Sequence, residues 1–336
     1  MRPTGLLLAL VVLLAAAYVM AQPVGEPSAS PTAPAFAAVT ASAPAKATAM
    51  ATSSAPPTSS ATPTSAPLPS ISAALPTPTG FAQPSLVPGS GTPKAVIIVA
   101  PTGELTEGNL ILGEEMALSA EAAGMDVLRV FHPHATWEAV LAAVQGASFV
   151  AYYGHGYGWP SNTPELWEVQ QDGMGLNEYD GSSSYEVHYY GANKIRQSIR
   201  LAPHAVVFLM RGCYTAGNGL NQDPIPTLDI ARQHVDNYAS GWLAVGAGAV
   251  FAFAQGSRYN YPEQLMAGTA VTVDELFSNA GDAIGADPLY FDSQRTPGAR
   301  NHLDPHPTKG YLRALSGDLE MTAAVWRAGA GAIITA

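Results

Sequence analysis

The 336-residue chain carries 15 basic and 26 acidic residues, a formal net charge of −11, with 47% hydrophobic residues and one cysteine. An acidic chain has little to offer a phosphate backbone, so the composition argues against a nucleic-acid partner. A single cysteine excludes an internal disulfide, which an exported domain can do without if its core is large enough.

The first segment, Met1 to Ala21, reads as a targeting sequence. Arg2 gives a positive start, "GLLLALVVLLAAAYVM" an apolar core, and Val19-Met20-Ala21 small residues near a cleavage point. The competing reading is an uncleaved membrane tether through residues 5–21, because a run of roughly 17 apolar residues is at the lower limit for spanning a bilayer. Either way the rest of the chain is expected outside the cytoplasm, secreted or anchored at the cell surface.

Residues 22–93 are nearly all Ala, Pro, Ser and Thr, hold 15 of the 28 prolines, and carry only Glu26 and Lys46 as charges. Such a stretch cannot bury enough apolar surface to offset its ordering entropy, so a disordered spacer is expected. Its composition also suits an O-glycosylated stalk. Residues 94–336 remain as one domain of roughly 240 residues, long enough for a sizeable core. Setting aside Arg2, Lys46 and Glu26 leaves it 13 basic and 25 acidic residues, a net of −12.

Within that domain "KAVIIVAP" (94–101) is a continuous apolar run, the mark of a strand buried on both faces. "EGNLILGEEMALSAEAAG" predicts a helix stopping at Gly124, and "MDVLRVF" a second strand. "TWEAVLAAV" places Trp137, Val140, Leu141 and Val144 on one helical face. "ASFVAYYG" and "HAVVFLM" predict a third and a fourth strand, residues 226–244 a helix, and "GAVFAFAQ" a fifth strand. The alternation predicts an α/β domain with a mainly parallel sheet and helices on both faces. Two stretches read as irregular: residues 157–186, a long loop of a kind that is usually functional or mobile, and residues 281–309.

Ligands bind outside the carboxyl ends of strands in an open parallel sheet. Two reactive side chains fall at such ends, His155 after "FVAYYG" and Cys213 after "VVFLMRG". If the third and fourth strands are neighbours, both emerge on one edge. A thiol becomes a good nucleophile when an imidazole takes its proton, and the imidazole can return that proton to a leaving amine. The amides of Gly156 and Cys213 are placed to form an oxyanion hole.

"FVAYYGHG" and "AVVFLMRGCYTAG" resemble the caspase/gingipain/legumain group of cysteine peptidases, whose strands end in His-Gly and in Gly-Cys or Ala-Cys. "GAGAVFAFAQG" (246–256) is similar to the strand after the nucleophile in bacterial members, including CHAT-type proteins. The resemblance spans roughly residues 94–256. It implies a three-layer caspase-like fold, Cys213 as nucleophile, His155 as base, a protein or peptide substrate, and no cofactor. The long 157–186 stretch has no counterpart in the well-known enzymes, and no pocket for the substrate's first side chain is recognisable. Tyr157 and Trp159 are expected as subsite walls and Asp172, beside a glycine, as a substrate contact.

Two other readings compete: a catalytically silent binding module, and a metal-dependent hydrolase. The second would use His132 and His134 or the His302, Asp304, His306 group, yet zinc normally needs three or four converging ligands. Glu165, Glu168, Glu178 and Asp180, with Asp172, read as a solvated loop face, although such carboxylates could line a pocket selecting a basic residue or bind calcium through their oxygens. Arg232 and Asp236, four residues apart on a predicted helix, read as a surface pair worth a few tenths of a kcal/mol. The glycines at 154–158 lack the spacing and the opening helix of a dinucleotide site.

Overall fold

The structure is a computed structural model that describes residues 91–330 apart from 162–164, 222 and 286. The expected targeting segment and nearly all of the spacer lie outside the described residues. Among the described residues no helix is long and apolar enough to cross a membrane.

An eight-stranded sheet organises the domain. In chain order its strands are β1 (Lys94–Val99), β2 (Asp126–Phe131), β3 (Phe149–Tyr153), β6 (Ala205–Met210), β7 (Ala247–Phe253), β8 (Leu289–Asp292), β9 (Arg300–His306) and β10 (Gly310–Gly317). β4 (Met174–Asn177) and β5 (Val187–Tyr190) form a separate antiparallel pair. The main sheet runs β2-β1-β3-β6-β7-β10-β9-β8, parallel from β2 to β7 and antiparallel from there on. The domain is therefore α/β, with a mainly parallel sheet flanked by helices.

The helices are α1 (Thr106–Ala122), α2 (Trp137–Val144), α3 (Ala192–Ser198), α4 (Leu228–Leu243), α5 (Tyr261–Met266), α6 (Val273–Ser278) and α7 (Ala323–Gly329). Side chains alternate across each buried strand, which sends Val96 and Ile98 to one face of the sheet and Ala95, Ile97 and Val99 to the other. The first face packs against α2, α3 and α4, the second against α1, α5, α6 and α7. On the second face Phe149, Phe208 and Phe251 stack across β3, β6 and β7 with ring centroids 4.9 and 4.6 Å apart. Side-chain caps fix several helix starts. Thr136 accepts from the Ala139 amide, Thr227 from that of Ile230, and Thr272 with Glu275 completes a capping box.

Both stretches expected to be irregular contain regular structure. Residues 281–309 hold β8 and β9 entire, which pair with each other and, through β10, with β7. Their signal was hidden because this edge buries charge rather than a run of aliphatics. Arg313 on β10, 5% exposed, pairs with Asp304 on β9, lies 3.2 Å from Asp282, and donates to the Phe277 carbonyl at 2.7 Å. Its guanidinium also sits 4.2 Å from the centre of the Phe277 ring.

The 157–186 stretch contains β4, and its first part packs over α4. The Tyr157 amide donates to the buried Tyr238 hydroxyl at 2.7 Å, and Asn237 donates to the Trp159 carbonyl at 2.8 Å. His234 holds the Pro160 carbonyl at 2.6 Å. With this cover every residue of α4 from His234 to Trp242 is buried. The expected surface pair on α4 is absent: Arg232 lies 3.7 Å from Asp229, and Asp236 is buried at 4% exposure. Asp236 instead accepts from the Ser293 hydroxyl and from the Gln294 amide at 2.7 Å, pinning the chain before β9.

Candidate active site

β3 and β6 are neighbours, and their register pairs Tyr153 with Met210 at the carboxyl ends. Two residues beyond Tyr153 is His155; three beyond Met210 is Cys213. Both leave the sheet at the same edge. The loops touch at their backbones: a Cβ on Gly156 would lie 1.9 Å from the Cys213 carbonyl oxygen and 2.9 Å from its amide nitrogen. Only glycine permits that approach.

The imidazole loop is held from below. The Tyr152 hydroxyl is fully buried, lies 2.9 Å from the His155 carbonyl, and accepts from the Gly175 amide at 2.9 Å. Burial raises its pKa far above the ordinary phenol range, so it stays a donor. Gly154 is bound to this arrangement, since a Cβ there would meet the Tyr152 oxygen at 2.2 Å.

The thiol loop is strained. Arg211 and Tyr214, on either side of Gly212-Cys213, have φ of 63° and 68°, a region that bulky side chains rarely adopt. Strain of this kind costs about 1–3 kcal/mol per residue and persists only where the surroundings fix it. Here Thr215 donates to the Gly212 carbonyl at 2.8 Å, the Arg211 amide donates to Phe253 at 2.7 Å, and the Tyr214 amide donates to Asn218 at 2.8 Å. Asn218 is itself tied to the β9–β10 turn through the Lys309 carbonyl at 2.7 Å and the Tyr311 amide at 2.8 Å. The turn thus holds a partly exposed cysteine at the end of a rigid strand.

Cys213 lines a cavity of about 330 Å³ and His155 a neighbouring one of about 380 Å³; Leu105 borders both. Burial raises the Cys213 pKa, and the Asp223 carboxylate adds to the rise, while its own backbone amide works the other way. Burial lowers the His155 pKa. Both shifts favour a neutral thiol and a neutral imidazole over their charged forms. Among the described residues no hydrogen bond joins the two side chains, and neither the Gly156 nor the Cys213 amide donates to another residue. Both amides stand at one strand edge without a partner residue, the Cys213 amide acting only on its own sulfur.

The remaining expected site residues lie in the long loop after β3. Tyr157 stands edge-on to Tyr189, ring centroids 5.4 Å apart. Asp172, at 1% exposure, accepts from the Trp159 amide at 3.3 Å, and its own amide donates to the Tyr157 carbonyl at 2.8 Å. A side chain so enclosed holds the loop's shape rather than presenting a carboxylate to a cavity. Of the loop carboxylates, Glu168 pairs with Arg295 and, at 2.6 Å, with Arg196, and Asp180 with His134 at 2.5 Å.

The histidines proposed for a metal are dispersed. His132 meets Asn177 at 3.0 Å, His302 meets Asp274 at 2.6 Å, and His306 accepts from the Thr308 amide at 3.1 Å. Among the described residues no three His, Cys, Asp or Glu side chains are grouped to hold a metal ion.

Three residues near the site escaped the sequence reading. Leu105, 53% exposed, lines both cavities. Tyr189 on β5 is close enough to feel the charge of a Cys213 thiolate, and Asp223 acts on the thiol itself. Nothing in "EVHYYG" or "NQDPIP" marks them, because each is brought to Cys213 by the fold alone. No family model matches the chain, and no curated protein matches it.

Proposed function

We propose that this domain is a cysteine endopeptidase of the caspase-like kind, exported and secreted or held at the cell surface. The observation that carries the reading is the β3–β6 register, which brings a strand-end histidine and a strand-end cysteine to one edge with Gly156 seated on the Cys213 backbone. The strained turn around the cysteine and the two amides without a partner residue support it.

In this mechanism His155 removes the thiol proton as Sγ attacks the scissile carbonyl carbon. The Gly156 and Cys213 amides take the negative oxygen. Collapse breaks the C–N bond, and His155 gives its proton to the departing amine, leaving a thioester. Water, deprotonated by His155, then attacks the thioester; acid product leaves, and the proton returns to sulfur. The base must be neutral, so activity rises with pH through the His155 titration, below the ordinary histidine value because burial lowers it. Alkylation of the free thiol should be slow at neutral pH, because burial raises its pKa.

The test is cleavage of a mixed peptide library by the reduced full chain as wild type, Cys213→Ala and His155→Ala. Loss of about 10³-fold or more in both variants is expected. Folded but equally inert proteins would sink the reading. They would favour a binding module that keeps the fold without turnover, a reading helped by the neutral, unbonded resting pair.

A further inference from the structure

His234 on α4 is 2% exposed, and each of its ring nitrogens meets a backbone carbonyl, Nδ1 that of Gly217 and Nε2 that of Pro160, both at 2.6 Å. A carbonyl oxygen only accepts, so each contact needs an N–H on the ring. Neutral imidazole carries one. Its other nitrogen presents a lone pair, which would face the lone pairs of the oxygen. Only the imidazolium satisfies both contacts. The distances agree, being shorter than the roughly 2.9 Å of an ordinary N–H···O bond, as ionised donors make them.

The two carbonyls belong to the two segments that meet beside Cys213. Gly217 closes the strained turn after the thiol, where a Cβ would come within 3.3 Å of Ala231 on α4 and 2.7 Å of Tyr311 on β10. Pro160 belongs to the part of the long loop that covers α4. Tyr214, next to the thiol, stands edge-on to the imidazole, ring centroids 5.0 Å apart. A buried cation needs compensating charge or dipoles. The two carbonyls supply dipoles, and Asp223 is the one carboxylate among the described residues lining the cavity of about 230 Å³ that His234 shares with Pro160 and Tyr214. The other titratable and charged groups nearby are engaged elsewhere. In the loop, Asp172 accepts from the Trp159 amide, and on α4 Tyr238 accepts from that of Tyr157. Farther round α4, Arg232 lies beside Asp229 and over Phe291, and Asp236 bonds to the chain before β9.

We propose that His234 is a positioning residue for the Cys213 turn: as an imidazolium it ties that turn to the loop over α4, and loss of its proton unties one of the two. The clamp is therefore complete at low pH and incomplete at high pH. It goes beyond the peptidase reading and does not need turnover at Cys213. Where Cys213 does turn over, the clamp sets an alkaline limit, opposite in direction to the limb set by His155.

The experiment uses the full chain, labelled with ¹⁵N at histidine, as wild type, His234→Asn and His234→Gln. The two amides keep a donor near Nδ1 and near Nε2 respectively, and neither titrates. Ring-nitrogen shifts, with His234 assigned by its absence from the variants, and backbone hydrogen exchange over 157–161 and 214–219 are followed from about pH 5 to about pH 9, a span that contains histidine titration. Both His234 nitrogens should carry protons at the acid end. There His234→Asn should exchange faster than wild type over 157–161, and His234→Gln over 214–219, by about 10–100-fold, the range of a hydrogen bond to a charged group. At the alkaline end the wild type should lose its advantage in one of the two segments. A single N–H on His234 at the acid end, read on the wild type alone, overturns the clamp, and so does an advantage unchanged across the titration. Peptide cleavage adds a second readout: kcat of the wild type should fall at the alkaline end, and that fall should be absent from both variants. An alkaline fall intact in both variants overturns the positioning role. No cleavage by any of the three overturns the peptidase reading, while the shifts and exchange still decide the clamp.

Discussion

The two halves of the sheet are built on different physics. From β2 to β7 the strands are parallel, and β1, β3 and β6 are aliphatic or aromatic on both faces, with buried residues almost throughout. From β10 to β8 they are antiparallel, and the buried set includes Asn301, His302, Asp304 and Arg313. The parallel half presents the reactive side chains at its carboxyl edge. The antiparallel half braces that edge, through Asn218 and the β9–β10 turn, and supplies Thr308, Lys309 and Leu312 to the wall of the Cys213 cavity. The candidate site lies between a rigid apolar frame on one side and a charge-paired flank on the other, so damage to the two should look different.

The sharpest break is on the parallel side, at Gly156→Ala. The added methyl would fall 1.9 Å from the Cys213 carbonyl oxygen, a backbone atom that cannot swing aside, so the two site loops must separate. A misplacement of about 1 Å costs on the order of 10²-fold in rate, and a loss at least that large in kcat/KM is expected. Peptide cleavage and the urea midpoint, measured together, separate the effect on catalysis from that on stability. A variant with wild-type turnover would show that the two loops need not touch.

On the antiparallel side the largest effect expected is on stability. Arg313→Ala leaves Asp304, 7% exposed in its side chain, without its cation, and removing one partner of a buried pair costs about 3–5 kcal/mol. Urea unfolding should register that loss, with turnover per folded molecule little changed. Replacing Arg313 and Asp304 together by Met and Leu should recover much of it, because the desolvation of both charges disappears. If the single variant is as stable as wild type, the flank is not held by this pair.

This contrast also explains what the sequence reveals. Each parallel strand is a local apolar run, so its position can be read from neighbouring residues alone, and the two reactive residues follow from where those runs end. β8 and β9 pair with the strand next along the chain but are not apolar runs, and the charge buried beside them is matched over longer separations. Arg313 meets Asp282 and Phe277 from 31 and 36 residues away, and no local periodicity announces such pairing. Arg232 and Asp236 misled for a related reason: helical spacing gave them a local partner, whereas Asp236 bonds to residues almost 60 positions later. The glycines at 154, 156 and 212 were visible as flanking the reactive pair; that Gly156 rests on the Cys213 backbone was not.

Asp172 tests whether the long loop over α4 belongs to the rigid frame. Its carboxyl is pushed up to about 8 from an ordinary 3.8, first by burial, with Glu168 adding to the rise and the Trp159 amide, Arg295 and Arg196 opposing it. The raised value means that the folded chain holds this proton more tightly than the unfolded one. Its contribution to stability is therefore full below about pH 4 and is lost as pH climbs through about 8, at no more than ~1.4 kcal/mol per pH unit. Asp172→Asn keeps the oxygen that accepts from Trp159, and asparagine tolerates the φ of 60° at this position. Its unfolding midpoint should be flatter than the wild type's across that window, with the variant gaining relative stability at the alkaline end. Parallel curves for the two proteins would mean that Asp172 ionises without cost, which requires water at its buried oxygen and a loop that opens from α4. In that case the loop would side with the movable parts of the molecule, and the cover it gives α4 would not be part of what fixes the Cys213 turn.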